Sequence, residues 1–336
     1  MKLTFEQIKS ITQGAVNITE ENGLINFFRF TDEEQKMYEG TDFYRKTFST
    51  SGVQLNFKTD GDAINLKIET SPSTSRAFFS LDIFENNKLV DSCKNFNDKD
   101  LPEDYLSAQF PQGAFTNKTK LDSGDKIIRI VFPWSVVTKL VELEIENATY
   151  IEPVKKDRKL VIYGDSITQG YDALYCSNSY ATKLGELLNA EIYNKAIGGE
   201  VFFPELAKGN NGNPDYVFVA YGTNDFSLRE FDDFKDRCSR FFSNLTDNYK
   251  NSKIFAITPI WRADFDGPRK FGDFFNVFNT ISEICSKYDN ITVISGWDLV
   301  KHDINCYSDL RLHPNDDGFK HYAKNLGEKL KELLEK

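Results

Sequence analysis

Histidine and cysteine are scarce in this chain of 336 residues, which holds three of the first and five of the second. The histidines (His302, His313, His321) make no His-Glu-x-x-His pattern and join no Cys/His cluster, so a metal centre is not expected. The cysteines (Cys93, Cys176, Cys238, Cys285, Cys306) are odd in number and never spaced Cys-x-x-Cys, which argues against a disulfide framework and for reduced thiols in a cytoplasm. Nowhere do apolar residues continue for the ~18 positions that a membrane-spanning helix needs. Glu6 and Lys9 interrupt the stretch that an export signal would keep apolar, so neither export nor a membrane is expected. Basic charge is also short, with 41 Lys and Arg against 51 Asp and Glu for a net charge of −10, and such a surface repels a nucleic-acid backbone. What is present, 40% hydrophobic and 27% charged residues with only 20 Gly and 10 Pro, is a globular composition. The length suits about two domains.

Two periodicities divide the chain. From Val53 to Glu146 apolar residues alternate, at Val53, Leu55, Phe57, at Ile64, Leu66, Ile68, at Phe79, Leu81, Ile83 and at Val141, Leu143, Ile145, as half-buried strands require. Asp60-Gly61, Asn86-Asn87 and Ser123-Gly124-Asp125 supply turns between them, the last before a strand over Lys126 to Phe132. Antiparallel strands with such turns predict a β-sandwich or jelly roll over residues 1–152. Its first 45 residues or so are less regular: Phe5 to Ile11 fits a short helix and Phe27 to Phe30 is extended. The charged segment Glu152 to Arg158 breaks the pattern and marks a boundary. Across residues 158–336, short apolar runs (Leu160 to Tyr163, Ile192 to Asn194, Tyr216 to Tyr221, Ile254 to Thr258, Ile291 to Ile294) alternate with helical periods. Those periods are clear in the stripes around Tyr180, Phe241 and Phe319, and the alternation predicts a parallel α/β sheet.

In an open α/β sheet, ligands lie beyond the carboxyl ends of the strands. The residues that follow each strand therefore carry the most information. Gly164-Asp165-Ser166-Ile167-Thr168-Gln169-Gly170 follows the first strand of this half and puts a hydroxyl on a small-residue turn. Asn194-Lys195-Ala196-Ile197-Gly198-Gly199 follows the second, Gly222-Thr223-Asn224-Asp225 the third, and the run Asp309 to Gly318, with His313 in it, precedes the last helix. Each has an ordinary structural explanation: a phosphate cradle, a glycine loop, an Asx-turn, a capped helix. Together they bring a nucleophile, two hydrogen-bond donors and a base to one edge.

In this order the four segments resemble the signature blocks of the SGNH hydrolases, the GDSL esterase/lipase superfamily. The likeness covers about residues 158 to 336. It implies a flavodoxin-like catalytic domain in which Ser166 is the nucleophile and His313 its base. Ser166, Gly199 and Asn224 would then form the oxyanion hole. The β-rich half is similar in architecture to the accessory sandwich of two-domain carbohydrate esterases in this superfamily. The implied activity is hydrolysis of short acyl esters, acetyl above all, with a small-molecule or oligosaccharide ester as partner and neither metal nor cofactor. A non-catalytic carbohydrate-binding or scaffold protein and an acyltransferase on the same fold are the alternatives.

The pattern departs from the family at one place. The family's acid stands three residues before the histidine, where this chain has Leu310, while Asp309 stands four before His313. Positions four apart share a face of a helical turn, so Asp309 can reach the ring and is the favoured acid. Pro314 opposes a helix there, and Asp303 or a backbone carbonyl is the alternative. Of the other histidines, His321 lies within a helical stripe and His302 in a charged loop, so both read as structural or solvated. Trp261, just after the strand that leads into Thr258-Pro259-Ile260, is a candidate to stack on a sugar or an acyl group. Asp165 and Asp225 read as loop braces and Asn178 and Ser179 as helix caps, while Lys195 and Glu200 flank the glycines with nothing in the sequence to decide whether they touch substrate.

Overall fold

The computed structural model describes residues 1–209 and 211–334. The N-terminal domain is a sandwich of two antiparallel sheets. One runs Thr12–Gln13, Gln54–Thr59, Lys126–Val131, Ser80–Glu85, Lys88–Lys94, with Ile151–Pro153 also paired to Gln54–Thr59. The other runs Asn17–Glu21, Leu24–Phe28, Val136–Glu146, Ala63–Pro72, Gly113–Lys120. The inward residues of the two sheets, Leu55, Phe57, Ile83, Ile128 and Ile130 against Ile64, Leu66, Ile68, Leu140 and Leu143, are buried in one cluster. The short helix Phe5–Ile11 forms as its composition predicts, closed at its start by a capping box between Thr4 and Gln7.

Two features of this domain differ from the sequence expectation. Val141 is 40% exposed rather than buried, because the pairing of Val136–Glu146 with Ala63–Pro72 shifts register between Leu140 and Glu142. One extra residue in a strand turns outward and hands the inward position to its neighbour, here Leu140. The strand Gly113–Lys120 was not anticipated, since its sequence, GAFTNKTK, is nearly all polar. It lies at a sheet edge, where lysine and asparagine suit a strand with one side open to water.

The α/β domain holds a five-stranded parallel sheet ordered Ala190–Asn194, Arg158–Gly164, Tyr216–Ala220, Lys253–Ile257, Ile291–Ile294. In chain order this is 2-1-3-4-5, the flavodoxin-like winding. Successive side chains of the first strand go to opposite faces: Leu160 and Ile162 pack with the helices Tyr180–Leu187 and Asp316–Leu334, Val161 and Tyr163 with Phe231–Asn248 and Phe275–Cys285. Being covered on both faces, the three central strands read as continuous apolar runs, while the edge strand Ala190–Asn194 alternates between buried and half-buried. Among the described residues no helix is long and apolar enough to cross a membrane.

The two domains share core and hydrogen bonds. Phe78, Val131 and Trp134 of the sandwich belong to the same buried cluster as Ile162, Tyr171 and Tyr180. Arg29, fully buried, donates to the carbonyls of Ser49 and Lys46 on its own side and to those of Asn194 and Ala196 across the junction, at 2.7 to 2.9 Å. Burial pulls this guanidinium down to about 9, against the pull of Tyr38, Glu200 and other acidic groups.

Candidate active site

The first strand ends at Gly164, where a Cβ would lie 2.3 Å from Thr168 Oγ1, so only glycine lets the chain turn this tightly into the helix Ser166–Gln169. Asp165 caps that helix by accepting from the Ile167 N–H at 3.0 Å. Ser166 is its first residue, and an N–H at that position has no acceptor within the helix. Burial pushes the Asp165 carboxyl up to about 7, against the lowering effect of the Ile167 N–H and of His313.

Ser166 Oγ lies 2.8 Å from His313 Nε2, and His313 Nδ1 lies 2.8 Å from Asp309 Oδ2. These three residues, 147 and 4 positions apart, form one hydrogen-bonded line. Asp309 reaches the ring, though not through a helix. Its other oxygen accepts the backbone N–H groups of Arg311, Leu312 and His313 at 2.7 to 3.0 Å, folding the loop around the carboxylate. Leu310, the added residue, takes φ +54° and points outward, 58% exposed. A left-handed residue there absorbs the extra length, so a four-residue spacing still delivers the acid to Nδ1. The loop is closed by Ser308 N–H donating to the His313 carbonyl at 2.8 Å and by pairing of Tyr307 with Pro314. Partial burial works against the Asp309 charge, but the bond and charge of His313 and the backbone donors hold this carboxyl well below the usual range. Asp303 is occupied elsewhere, accepting from Asn305 N–H at 3.0 Å.

The candidate oxyanion donors all lie in segments that leave the carboxyl ends of strands of the parallel sheet. Gly199 has φ +88°, a conformation that favours glycine, and its N–H has no hydrogen-bond partner among the described residues. The preceding Gly198 N–H is taken by Gln169 Oε1 at 2.7 Å, which ties this loop to the serine turn. Asn224 donates through Nδ2 to the Glu200 carbonyl at 2.9 Å. An amide NH₂ carries two protons, so one orients the group and the other is left to point at a ligand.

Several expected contacts are different. Lys195 and Glu200, left open by the sequence, are buried. The Lys195 ammonium pairs with Glu34 at 2.5 Å, and Glu200 accepts from Tyr38 and Tyr221 hydroxyls at 2.5 and 2.8 Å. Both side chains turn inward to these partners. Trp261 stacks on His302 with rings 5.5 Å apart and 13° from parallel, and Tyr307 tilts against it at 5.4 Å. Its indole is engaged by its own neighbours rather than standing free.

The sandwich domain contributes residues that no motif announced. Lys46 Nζ donates to the Gly198 carbonyl at 2.5 Å and, with the Phe43 ring, lies within 4 Å of the Cβ position of Gly199. Burial pulls the Lys46 ammonium below its ordinary value. Phe43 also borders a cleft of about 210 Å³ together with Met37, Tyr38, Val201, Phe203 and Arg229. Asp172 and Arg76, treated below, lie behind the imidazole. Their only signal in sequence is proximity to the serine turn in one case and none in the other.

A doubly wound sheet that presents an aligned serine, histidine and aspartate at its carboxyl edge is the arrangement of a serine hydrolase. Residues 162–321, most of the α/β domain, match the GDSL-like Lipase/Acylhydrolase family. The chain is similar to a putative GDSL-like lipase from Bacteroides ovatus (16% identity, 100% of this chain and 98% of that one, TM-score 0.77). It is also similar to an acetyl xylan esterase from the rumen bacterium Butyrivibrio proteoclasticus (15%, 99% and 98%, TM-score 0.65). A salicylyl-acyltransferase from a tetracycline biosynthetic pathway is likewise similar (18%, 96% and 94%, TM-score 0.77). At these identities the likeness is one of fold. A search of curated protein sequences returned no match.

Proposed function

We propose that this protein is a serine esterase that removes short acyl groups, acetyl above all, from an alcohol of carbohydrate type. The observation that carries the proposal is the unbroken line Ser166 Oγ, His313, Asp309, with 2.8 Å at each step. A serine hydroxyl is a weak nucleophile at neutral pH and needs a base within hydrogen-bond reach. In the proposed cycle His313 Nε2 takes the Ser166 proton as Oγ bonds to the ester carbonyl carbon. Asp309 holds the ring and stabilises the imidazolium. The carbonyl oxygen, now negative, is received by the N–H groups of Ser166 and Gly199 and by the second Nδ2 proton of Asn224. The C–O bond to the alcohol then breaks, and His313 returns the proton to the departing oxygen. Water repeats the sequence on the acyl-enzyme and releases the carboxylic acid.

The carbohydrate part of the reading draws on likeness to the acetyl xylan esterase, and the cleft beside Phe43, a ring that also borders Gly199, is a candidate place for the alcohol. The assay is release of p-nitrophenol from its acetate ester, with Ser166→Ala as the control. Turnover lost in the variant supports the proposal, and equal rates in the two proteins overturn it. Transfer of the acyl group to an acceptor other than water is a second reading, favoured by the fold shared with the acyltransferase. It predicts that added sugar alcohols accelerate p-nitrophenol release and appear acylated among the products.

A further inference from the structure

Behind His313 lies a second carboxylate that the proposed mechanism does not use. Asp172 has no solvent-exposed side-chain surface, and its Oδ2 is 3.7 Å from His313 Nδ1, too far for a hydrogen bond and close enough for charge to matter. Its φ of +73° is unusual for a residue other than glycine. A buried carboxylate left without a partner is strongly disfavoured. This one is met by Arg76, from the loop after the sandwich strand Ala63–Pro72, whose Nε and Nη2 donate to Oδ1 and Oδ2 at 2.7 and 3.1 Å. Burial by itself would lower the Arg76 guanidinium, but the bonds to and charge of Asp172 prevail and raise it above its ordinary value. The same guanidinium lies 5.8 Å from the centre of the Tyr171 ring, and that ring stacks on the His313 imidazole, 5.8 Å away and 28° from parallel. Arg76 thus reaches the imidazole by two routes, one through charge and one through a stacked ring.

We infer that Arg76 is a positioning residue supplied by the sandwich domain, which neutralises Asp172 and fixes Tyr171 so that His313 takes Asp309 as its partner and keeps the basicity that the reaction needs. The groups facing the imidazole are Ser166 and Asp165 from the nucleophile turn, Tyr171 and Asp172 from the segment after it, and Asp309 from its own loop. Arg76 stands behind Asp172, and Tyr105 shares the fields of Arg76 and Asp172. Among these, Arg76 is the cation nearest Asp172 and the one whose removal leaves that carboxylate unpaired. In this light the sandwich is part of the working site rather than an appendage.

The inference rests on the esterase reading for its purpose, and the test separates the two. Wild type, Arg76→Gln, Arg76→Lys, Asp172→Asn and the double variant are compared in two measurements. One is the pH profile of kcat/KM on p-nitrophenyl acetate. The other is the titration of the His313 ring followed by NMR, which needs no turnover. In Arg76→Gln the unpaired carboxylate favours the protonated imidazole, so both the acid limb and the ring titration move to higher pH by about one unit or more. Asp172→Asn leaves the cation without its partner and moves them the other way. The double variant returns them close to wild type, and Arg76→Lys recovers part of the displacement. A purely structural role would change yield or rate without moving the titration. A ring titration unmoved in Asp172→Asn, or one that the double variant fails to restore, overturns the inference. Absence of turnover in wild type overturns the esterase reading alone, because the ring titration still decides this one.

Discussion

Replacing Asp309 by asparagine exchanges one oxygen for an NH₂ group and reverses the hydrogen bonding of the imidazole. Asp309 Oδ1 accepts three backbone N–H groups, while Oδ2 accepts from His313 Nδ1. An asparagine has one oxygen and one NH₂ to place in these two positions. Turning the NH₂ toward three converging N–H donors would abolish three hydrogen bonds, each worth about 1 kcal/mol net and more if its donor is left buried without a partner. The oxygen therefore stays with the backbone, and the NH₂ faces Nδ1. That nitrogen must then accept, the ring proton moves to Nε2, and Nε2 donates to Ser166 Oγ instead of taking its proton. Exchanging the orienting carboxylate for an amide in such a triad costs about 10⁴ in kcat, equivalent to ~5.5 kcal/mol of barrier. The loop is kept, so KM and the melting temperature should change little. Initial rates on p-nitrophenyl acetate, with circular dichroism to confirm folding, measure this. If Asp309→Asn keeps more than about a tenth of wild-type kcat, or if Asp172→Asn is the more damaging of the two, Asp309 does not orient the ring.

The oxyanion donors and the buried acids give further expectations. Asn224→Ala should lower kcat by about 10²–10³, since one of three donors is lost, and should leave a rate well above that of Ser166→Ala; equal losses would place Asn224 outside the oxyanion hole. Burial pushes Glu200 up to about 8, against the lowering effect of the Tyr38 and Tyr221 hydroxyls, so the folded protein retains a proton that the unfolded chain releases near its ordinary, lower value. Stability from this group is thus greatest at low pH and is lost as pH rises through that interval. Urea midpoints should fall between about pH 5 and about pH 8, and the fall should be shallower in Glu200→Gln. Asp225, pushed up to about 7 by burial, acts in the same sense, so some slope should survive the substitution. A slope unchanged by Glu200→Gln would show that this carboxyl is not protonated in the fold.

The chain reveals most where function sits at the end of a strand. Ser166, Gly199 and Asn224 come shortly after the first three strands of the parallel sheet, and the apolar runs before Ser166 and Asn224 are continuous because both of their faces are covered, while the edge strand before Gly199 alternates. The helix Phe275–Cys285 and the edge strand Gly113–Lys120 are not legible in the sequence, the latter because an edge needs no apolar signature. Spacing arguments were less informative. A helical turn was the reason for choosing Asp309, yet the carboxylate reaches the imidazole through a loop folded around its own oxygen, with Leu310 in a left-handed conformation. Lys195 and Glu200 stand beside the glycines in sequence but turn inward to Glu34 and to a pair of tyrosines.

Local order along the polypeptide was enough to specify the class of fold and to single out the serine turn and His313, because each depends on a few neighbouring residues and the strand or helix they adjoin. Folding in three dimensions was needed to select one carboxylate over others, to bury two charges that looked free, and to bring Lys46 and Arg76 from the sandwich to the glycine loop and to the back of the imidazole. Lys46 and Gly198 are 152 positions apart, Arg76 and Asp172 are 96, and no periodicity reports pairings at such separations. They arise only when two separately patterned layers bury their apolar faces against each other and the polar groups trapped at the junction must find partners.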